Sequence, residues 1–475
     1  MPQKNNSWIP AALFCGLVVI GIIIAQIPSS FLLRDWVQDY LSGTAALNNV
    51  NPWEIFNTLS EKILHRDISR DYRNPHTPLA VLLAIPFCFL PPSIAGVIWL
   101  FMEMGALMVA LRFIGKIFEY PEPYRFGVCV GLCLAVWPPL FTDLANGQFQ
   151  CFTLLLLTGV WYCLRQGRDL AAGFCLGAAI ALKIAGLPLL AWLLFRKKWS
   201  ALVGAALSWM GCHLVAAAII GWKWCWFYYT EVAASANKPF ISSERNFSII
   251  GLGWRIFMGT SDINHQFYPG SRLIDLPALG PIAGIMCLAA AAVFLFRKLA
   301  AVKNIDVQIL TLIAAGAVIL PVAWDYYLLF TLPATLSVLF ASKQKDYVRN
   351  TMLFALISFS LAGNTLIDPA LRQFSVKASV LLSFWPLVGV SLLTLWLLTR
   401  RDIEFLIPCR PYPIDPPKLL PIAHLLLASM FFLLLIHPVL PLPVAMICSL
   451  MAIIFLVRGR RLERRREKSV FVAQQ

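Results

Sequence analysis

Residues 165–198 read RQGRDLAAGFCLGAAIALKIAGLPLLAWLLFRKK, and this stretch decides the fold class. Between basic clusters at Arg165/Arg168 and Arg196/Lys197/Lys198 lies an apolar run interrupted by one ammonium, Lys183, with Pro188 five residues on. A helical membrane crossing takes about 20 apolar residues, and basic residues stay on the cytoplasmic side. With basic clusters at both ends, the run is expected to enter the membrane and return as two short arms with Lys183 at the apex. A short, Pro-interrupted pair of arms with a charge at its tip is the pattern found where irregular backbone lines a cavity.

The rest of the chain agrees with a membrane setting. Of 475 residues, 59% are apolar and 13% charged, and mean hydropathy is +0.73. A soluble domain carries about 25% charge, so a conventional soluble protein is excluded. Further apolar runs fall near residues 8–27, 93–113, 125–142, 148–164, 200–221, 280–296, 306–321, 326–341, 350–366, 378–399, 419–436 and 438–457. Basic clusters separate them at Arg112/Lys116/Arg125, Arg297/Lys298/Lys303, Lys343/Lys345/Arg349, Arg400/Arg401/Arg410/Lys418 and in the tail from Arg458 to Lys468. Placing each cluster in the cytoplasm predicts an all-α polytopic protein with about 12–14 membrane segments and both termini cytoplasmic. The net charge of +15 then reads as a topological girdle touching anionic lipid rather than as a nucleic-acid surface.

Two long loops face outward in this arrangement, residues 28–92 and 222–279, and residues 79–90 become a juxtamembrane or re-entrant helix. The first loop opens with RDWVQDYLSGTAALNNVNPWE (34–54), where helical spacing of Trp36, Tyr40, Leu41 and Ala45 predicts an amphipathic helix lying at the interface. Asp35 and Asp39 stand at its start, either as solvated acids or partners of Arg34, or as a base for a hydroxyl at the bilayer surface. Asp143, in FTDLANGQ (141–148), is a costly charge near the membrane, suited to function or to capping the following helix. Lys183 needs a partner, an acid such as Asp143 or an anionic ligand such as a lipid phosphate. Asp325 sits between Trp324 and Tyr326, whose rings also fit an interfacial belt. WKWCWFYYTE (222–231) and NKPFISSERNFSIIGLGWR (237–255) combine aromatics with Lys238, Arg245 and Arg255, which suits sugar rings and a phosphate as well as anchoring.

Twelve cysteines include no CxxC pair, and most lie inside apolar runs as small packing residues. No HxxH or HExxH spacing and no phosphate-cradling glycine loop occurs, so neither a metal site nor a nucleotide-sugar donor is expected.

The chain resembles the multispanning GT-C glycosyltransferases, most closely the bacterial polyprenol-phosphate-mannose-dependent enzymes of glycosyltransferase family 87. The resemblance covers roughly residues 8–340. It rests on RDWVQDYLSGTAALNN and NPWE, on HTPLAVLLAIPFCFLPP (76–92), on the stretch from ANGQFQ to FRKKW (145–199) and on VAWDYYLLFTLP (322–333). It implies a GT-C type helical bundle with a catalytic module over 1–340 and further helices with a basic tail over 341–475. It also implies inverting transfer of one sugar, mannose by analogy, from a polyprenyl phosphate carrier to a hydroxyl of a lipid-linked or envelope glycan. That chemistry would occur on the outer face of a bacterial inner membrane, with membrane lipids as the surroundings and no cofactor beyond the donor substrate. Asp35 matches the family's general base, with Asp39 as the alternative. Lys183 matches the lysine at the broken hairpin that meets the carrier phosphate, with Arg245 and Arg255 as further phosphate ligands. Tyr40, His76, Asp143, Gln148, Trp324, Asp325 and Tyr326 are the expected substrate-binding set. The family commonly has a His after the Trp-acid pair, where this chain has Tyr326. Two other classes compete, a transporter or lipid flippase and a non-catalytic scaffold subunit. The first predicts two related halves with facing midplane charges.

Overall fold

The computed structural model describes residues 35–65, 71–118, 138–261, 267–268, 272–340, 380 and 384–399. The expected helices at 8–27, 350–366, 419–436 and 438–457, and the Arg-rich tail, lie outside the described residues. The described chain is helical apart from a two-residue antiparallel pair, β1 (Thr260–Ser261) with β2 (Phe267–Tyr268).

The segment expected as the first outer loop folds as α1 (Trp36–Leu47), α2 (Phe56–Leu64) and α3 (Pro78–Ala84), the last extended by a 3-10 turn over Ile85–Phe87. Too short to cross a bilayer, α3 starts at the Thr77 side chain, which accepts from the backbone of Ala80. α1 departs from the expected interfacial helix. Residues from Trp36 to Gly43 are all buried, so protein rather than solvent covers both of its faces. Its tryptophan is the reason: Trp36 packs against Tyr40, Phe87 and Trp99, and Trp99 packs in turn on Phe149 and Phe152. The two-faced pattern belongs instead to α2, with Phe56 and Leu59 buried and Glu61 and Lys62 exposed.

α4 (Pro92–Phe118) is followed, after an undescribed segment, by α5 (Pro138–Asn146) and α6 (Gln150–Arg165). The quoted stretch then forms α7 (Asp169–Leu182), a single extended residue at Lys183, a 3-10 turn over Ile184–Gly186, and α8 (Leu187–Phe195). The predicted interruption therefore falls on Lys183. Pro188 sits in the first turn of α8, where its missing N–H has no helical partner to lose. α7 lies against α9 (Trp199–Ile220) through Gly173 and Gly177. A Cβ at these positions would meet the carbonyl oxygens of Ala201 and Ala205 at 2.0 and 2.2 Å. Small residues four apart let two backbones approach this closely, a common device between membrane helices.

The segment expected as the second outer loop contains α10 (Trp222–Phe227), a π-turn over Tyr228–Val232, α11 (Lys238–Ile241) and α12 (Ile249–Met258). Then come α13 (Leu279–Ala300), α14 (Ile305–Gly316), a seven-residue 3-10 helix over Asp325–Thr331, α15 (Leu332–Phe340) and α16 (Trp385–Thr399). Among the described residues α4, α9 and α13 are long and apolar enough to cross a membrane. α14 is pinned at its start: the Asp306 carboxylate accepts from Trp161 Nε1 (2.8 Å) and Arg165 (2.7 Å), and Trp192 Nε1 donates to Gln308 (2.9 Å).

Candidate active site

Five separate segments meet around Asp35 and Lys183, and the turn after α5 organises them. Gly147, at φ +67, ends α5 in the left-handed conformation that favours glycine. Its N–H and that of Gln148 return to the Asp143 carbonyl. The turn presents two groups to Asp35. The Asn146 carbonyl accepts from the Asp35 backbone N–H (3.0 Å), and Gln148 Nε2 donates to Asp35 Oδ2 (2.8 Å).

The same Gln148 faces Lys183 with its other amide atom, since Lys183 Nζ donates to Gln148 Oε1 at 3.0 Å. Gln148 is thus a neutral bridge between one carboxylate and one ammonium. Lys183 also donates to Tyr327 Oη (3.2 Å) and lies over the rings of Tyr327 (4.8 Å) and Tyr326 (5.6 Å). Among the described residues no carboxylate forms an ion pair with it. A buried ammonium held by neutral dipoles and ring faces is stabilised by an arriving anion. Asp35 is half-buried, and its Oδ1 carries no hydrogen bond among the described residues. The cluster therefore offers one open carboxylate oxygen and one cation with no carboxylate in contact, linked by the Gln148 amide, while buried Asp143 and Glu103 act on Lys183 only through space.

Asp39, one turn along α1 from Asp35, is fully buried. Both of its oxygens lie 2.9 Å from His76 Nδ1, and Asn74 Nδ2 donates to Oδ1 at 3.0 Å. Any chemistry at Asp39 therefore passes through His76. The segment carrying His76 also reaches the interruption, as Thr77 Oγ1 donates to the Leu182 carbonyl (3.3 Å).

The remaining expected residues are placed differently. Asp143 is fully buried and faces the start of α6: its Oδ2 accepts from Cys151 Sγ (3.2 Å), and its carboxylate meets the backbone N–H groups of Gln150 and Cys151. Its Oδ1 has no hydrogen-bond partner among the described residues, and Asp143 makes no ion pair with Lys183, though the two charges interact through space. The Tyr40 hydroxyl donates to the Leu90 carbonyl (2.9 Å), tying α1 to the end of the first loop. Arg255 is buried on α12, where it donates to the carbonyls of Glu244 and Asn246 and lies 3.6 Å over the Phe384 ring. Burial pulls its guanidinium down to about 9, opposed in part by the Glu244 charge. Arg245 is half-buried in the loop before α12. Trp324 packs edge-on against Phe240 of the second outer loop, and Asp325 and Tyr326 are buried at the start of the 3-10 helix.

Tyr327, Asn74 and Asn246 are the residues that the sequence reading missed. Only position can distinguish Tyr327 from Tyr326 as the hydroxyl on Lys183. Asn246 is buried and saturated: it donates to the carbonyls of Ile241 and Pro321 and accepts from the N–H groups of Ser248 and Ala323. It knots the second outer loop onto the strand of chain leading to Trp324.

Comparison with known proteins enters at this point. Residues 75–311 match the profile of Glycosyltransferase family 87. The polyprenol-phosphate-mannose-dependent alpha-(1-2)-phosphatidylinositol mannoside mannosyltransferase of Mycobacterium tuberculosis is 22% identical over 321 residues, 64% of this chain and 69% of that protein. No solved structure matches the chain. The family match holds His76, Gln148 and Lys183, whereas Asp35, Asp39 and the Trp324–Tyr327 segment fall outside it.

Proposed function

We infer, from the match of residues 75–311 to the Glycosyltransferase family 87 profile and the similarity to a polyprenol-phosphate-mannose-dependent mannosyltransferase, that this chain moves a single sugar, mannose by family analogy, from a polyprenyl phosphate to a hydroxyl of a lipid-linked or envelope glycan. The Asp35–Gln148–Lys183 bridge carries the reading. In an inverting displacement the acceptor oxygen bonds to the anomeric carbon as the bond to phosphate oxygen breaks. The hydroxyl proton passes to Asp35, and the negative charge left on the carrier phosphate is met by Lys183 and the Tyr327 hydroxyl. A base and a cation fixed by one amide hold reacting groups at a set separation, which lowers the entropic part of the barrier. Arg245 supplies a second positive charge beside the donor, while Arg255 acts by holding the loop that carries Arg245. Trp324 and Phe240 offer ring surface to the sugars. The site faces outward from a bacterial inner membrane. Residues 1–340 form the catalytic module, and 341–475 contribute packing and carrier-tail contacts.

The test is transfer of labelled sugar by purified protein from a panel of polyprenyl phosphate sugars into membrane lipid extract. Asp35→Asn is expected to fold normally and lose about 10²–10⁴-fold in turnover, the usual contribution of a general base. Normal transfer by this variant would remove Asp35 from the role.

A further inference from the structure

His76 is held on every side but one. Its Nδ1 faces both oxygens of buried Asp39, and its backbone N–H donates to Asn74 Oδ1 (3.0 Å). Its carbonyl accepts from Trp53 Nε1 (3.1 Å), and its ring stands edge-on to Phe149, 5.4 Å between centroids. Asn74 also donates to Ser42 Oγ (3.0 Å), which fixes the amide that holds Asp39. The other ring nitrogen, Nε2, has no hydrogen-bond partner among the described residues and is not sealed from solvent. An ionised carboxylate only accepts, so Asp39 requires the hydrogen on Nδ1. In the neutral ring this leaves a lone pair on Nε2, aimed by the carboxylate behind it. So much fixed geometry exceeds what closing a surface loop needs.

We propose that His76 Nε2 accepts a hydrogen bond from a second hydroxyl of the incoming glycan acceptor, beside the one that Asp35 deprotonates, with Asp39 as the positioning residue. The proposal rests on the transferase reading above and assigns the acceptor side of that site. A lone pair suits an O–H donor and repels a phosphate oxygen, which has no hydrogen to give. The phosphate already has its own partners at Lys183 and Tyr327. In an in-line displacement the acceptor enters opposite the leaving phosphate, on the side of the base. Asp35 and Asp39 lie on one face of α1, a single turn of about 5.4 Å apart. The His76 ring stands against Phe149, the neighbour of Gln148, and Thr77 bonds the Leu182 carbonyl next to Lys183, so His76 borders the cluster that holds Asp35.

Initial rates of the purified full-length chain, with polyprenyl phosphate mannose and a lipid-linked glycan as substrates, test this. His76→Asn keeps an amide N–H where Nδ1 meets Asp39 but removes Nε2. It is expected to raise the acceptor KM on the order of tenfold, the weight of one well-placed hydrogen bond, and to leave the donor KM unchanged. His76→Gln, which places its amide near the Nε2 position, is expected to recover part of the loss, and Asp39→Asn to raise the acceptor KM in the same sense. An unchanged acceptor KM in His76→Asn, or an equal rise in the donor KM, overturns the proposal. So does failure of both His76 variants to fold, which would make the residue structural. Absence of transfer by the unmodified protein from every polyprenyl phosphate sugar is a different result: it overturns the transferase reading itself.

Discussion

A lysine in an apolar stretch is conspicuous in any sequence, and Lys183 illustrates how far such a signal reaches. The alternatives of an acid partner or an anionic ligand are both reasonable from the sequence. The fold surrounds Lys183 with Gln148, Tyr327 and two ring faces and leaves Asp143 and Glu103 to act on it through space. With no carboxylate in direct contact, the ammonium is expected to matter most when the phosphate develops charge. Lys183→Gln should therefore lower turnover with a polyprenyl phosphate donor by about 10²–10³-fold, the range for losing one charge stabiliser. Steady-state rates against the unmodified protein check this, and a change under threefold would speak against the contact. Asp35 was legible as an acid beside Trp36. Its connection to Gln148 was not, because the two are 113 residues apart and join only through the turn at Gly147.

At the level of elements, the break at Lys183 depends on what supports the two helices around it. α7 is 14 residues long, about 21 Å at 1.5 Å per residue, and is short for a crossing. Its position comes from contact with α9, where Gly173 and Gly177 admit the backbone of the facing helix. Gly177→Val must push the helices apart, since the added carbon would stand 2.2 Å from the Ala205 oxygen. Overpacking of this kind costs about 1–3 kcal/mol. The variant is expected to show a lower Tm in detergent and a weakened transfer rate, measured by thermal unfolding and the labelled-sugar assay; an unchanged Tm would mean that the contact is slack. The apolar run at 170–195 announced two arms and an interruption. The burial of α1 was hidden, because a pattern of apolar and polar residues does not say what will cover the polar side. Here Asn74 and His76 absorb Asp39 within the protein, and Ser42 accepts from Asn74.

For the whole molecule, charge placement and the site must agree on sidedness. Lys238 is exposed in the second outer loop and Lys197 is exposed between α8 and α9, in a basic cluster assigned to the cytoplasm. In a background cleared of native cysteines, Lys238→Cys should react with a membrane-impermeant maleimide in intact spheroplasts, and Lys197→Cys only after permeabilisation. The reverse pattern would invert the topology and put the site inside. Composition and the spacing of basic clusters suffice to specify a many-helix membrane protein and to mark Lys183 as a costly charge in an apolar run, because solvation energies act on each residue according to its own chemistry; Asp35 stands out from Asp39 only through the family resemblance. Which groups touch is another matter. The Gln148 bridge, the choice of Tyr327 over Tyr326, the Asp39–His76 pair and the Asn246 knot each join segments distant along the chain. Hydrogen bonds of this kind require specific distances and directions, and those exist only after the helices have packed.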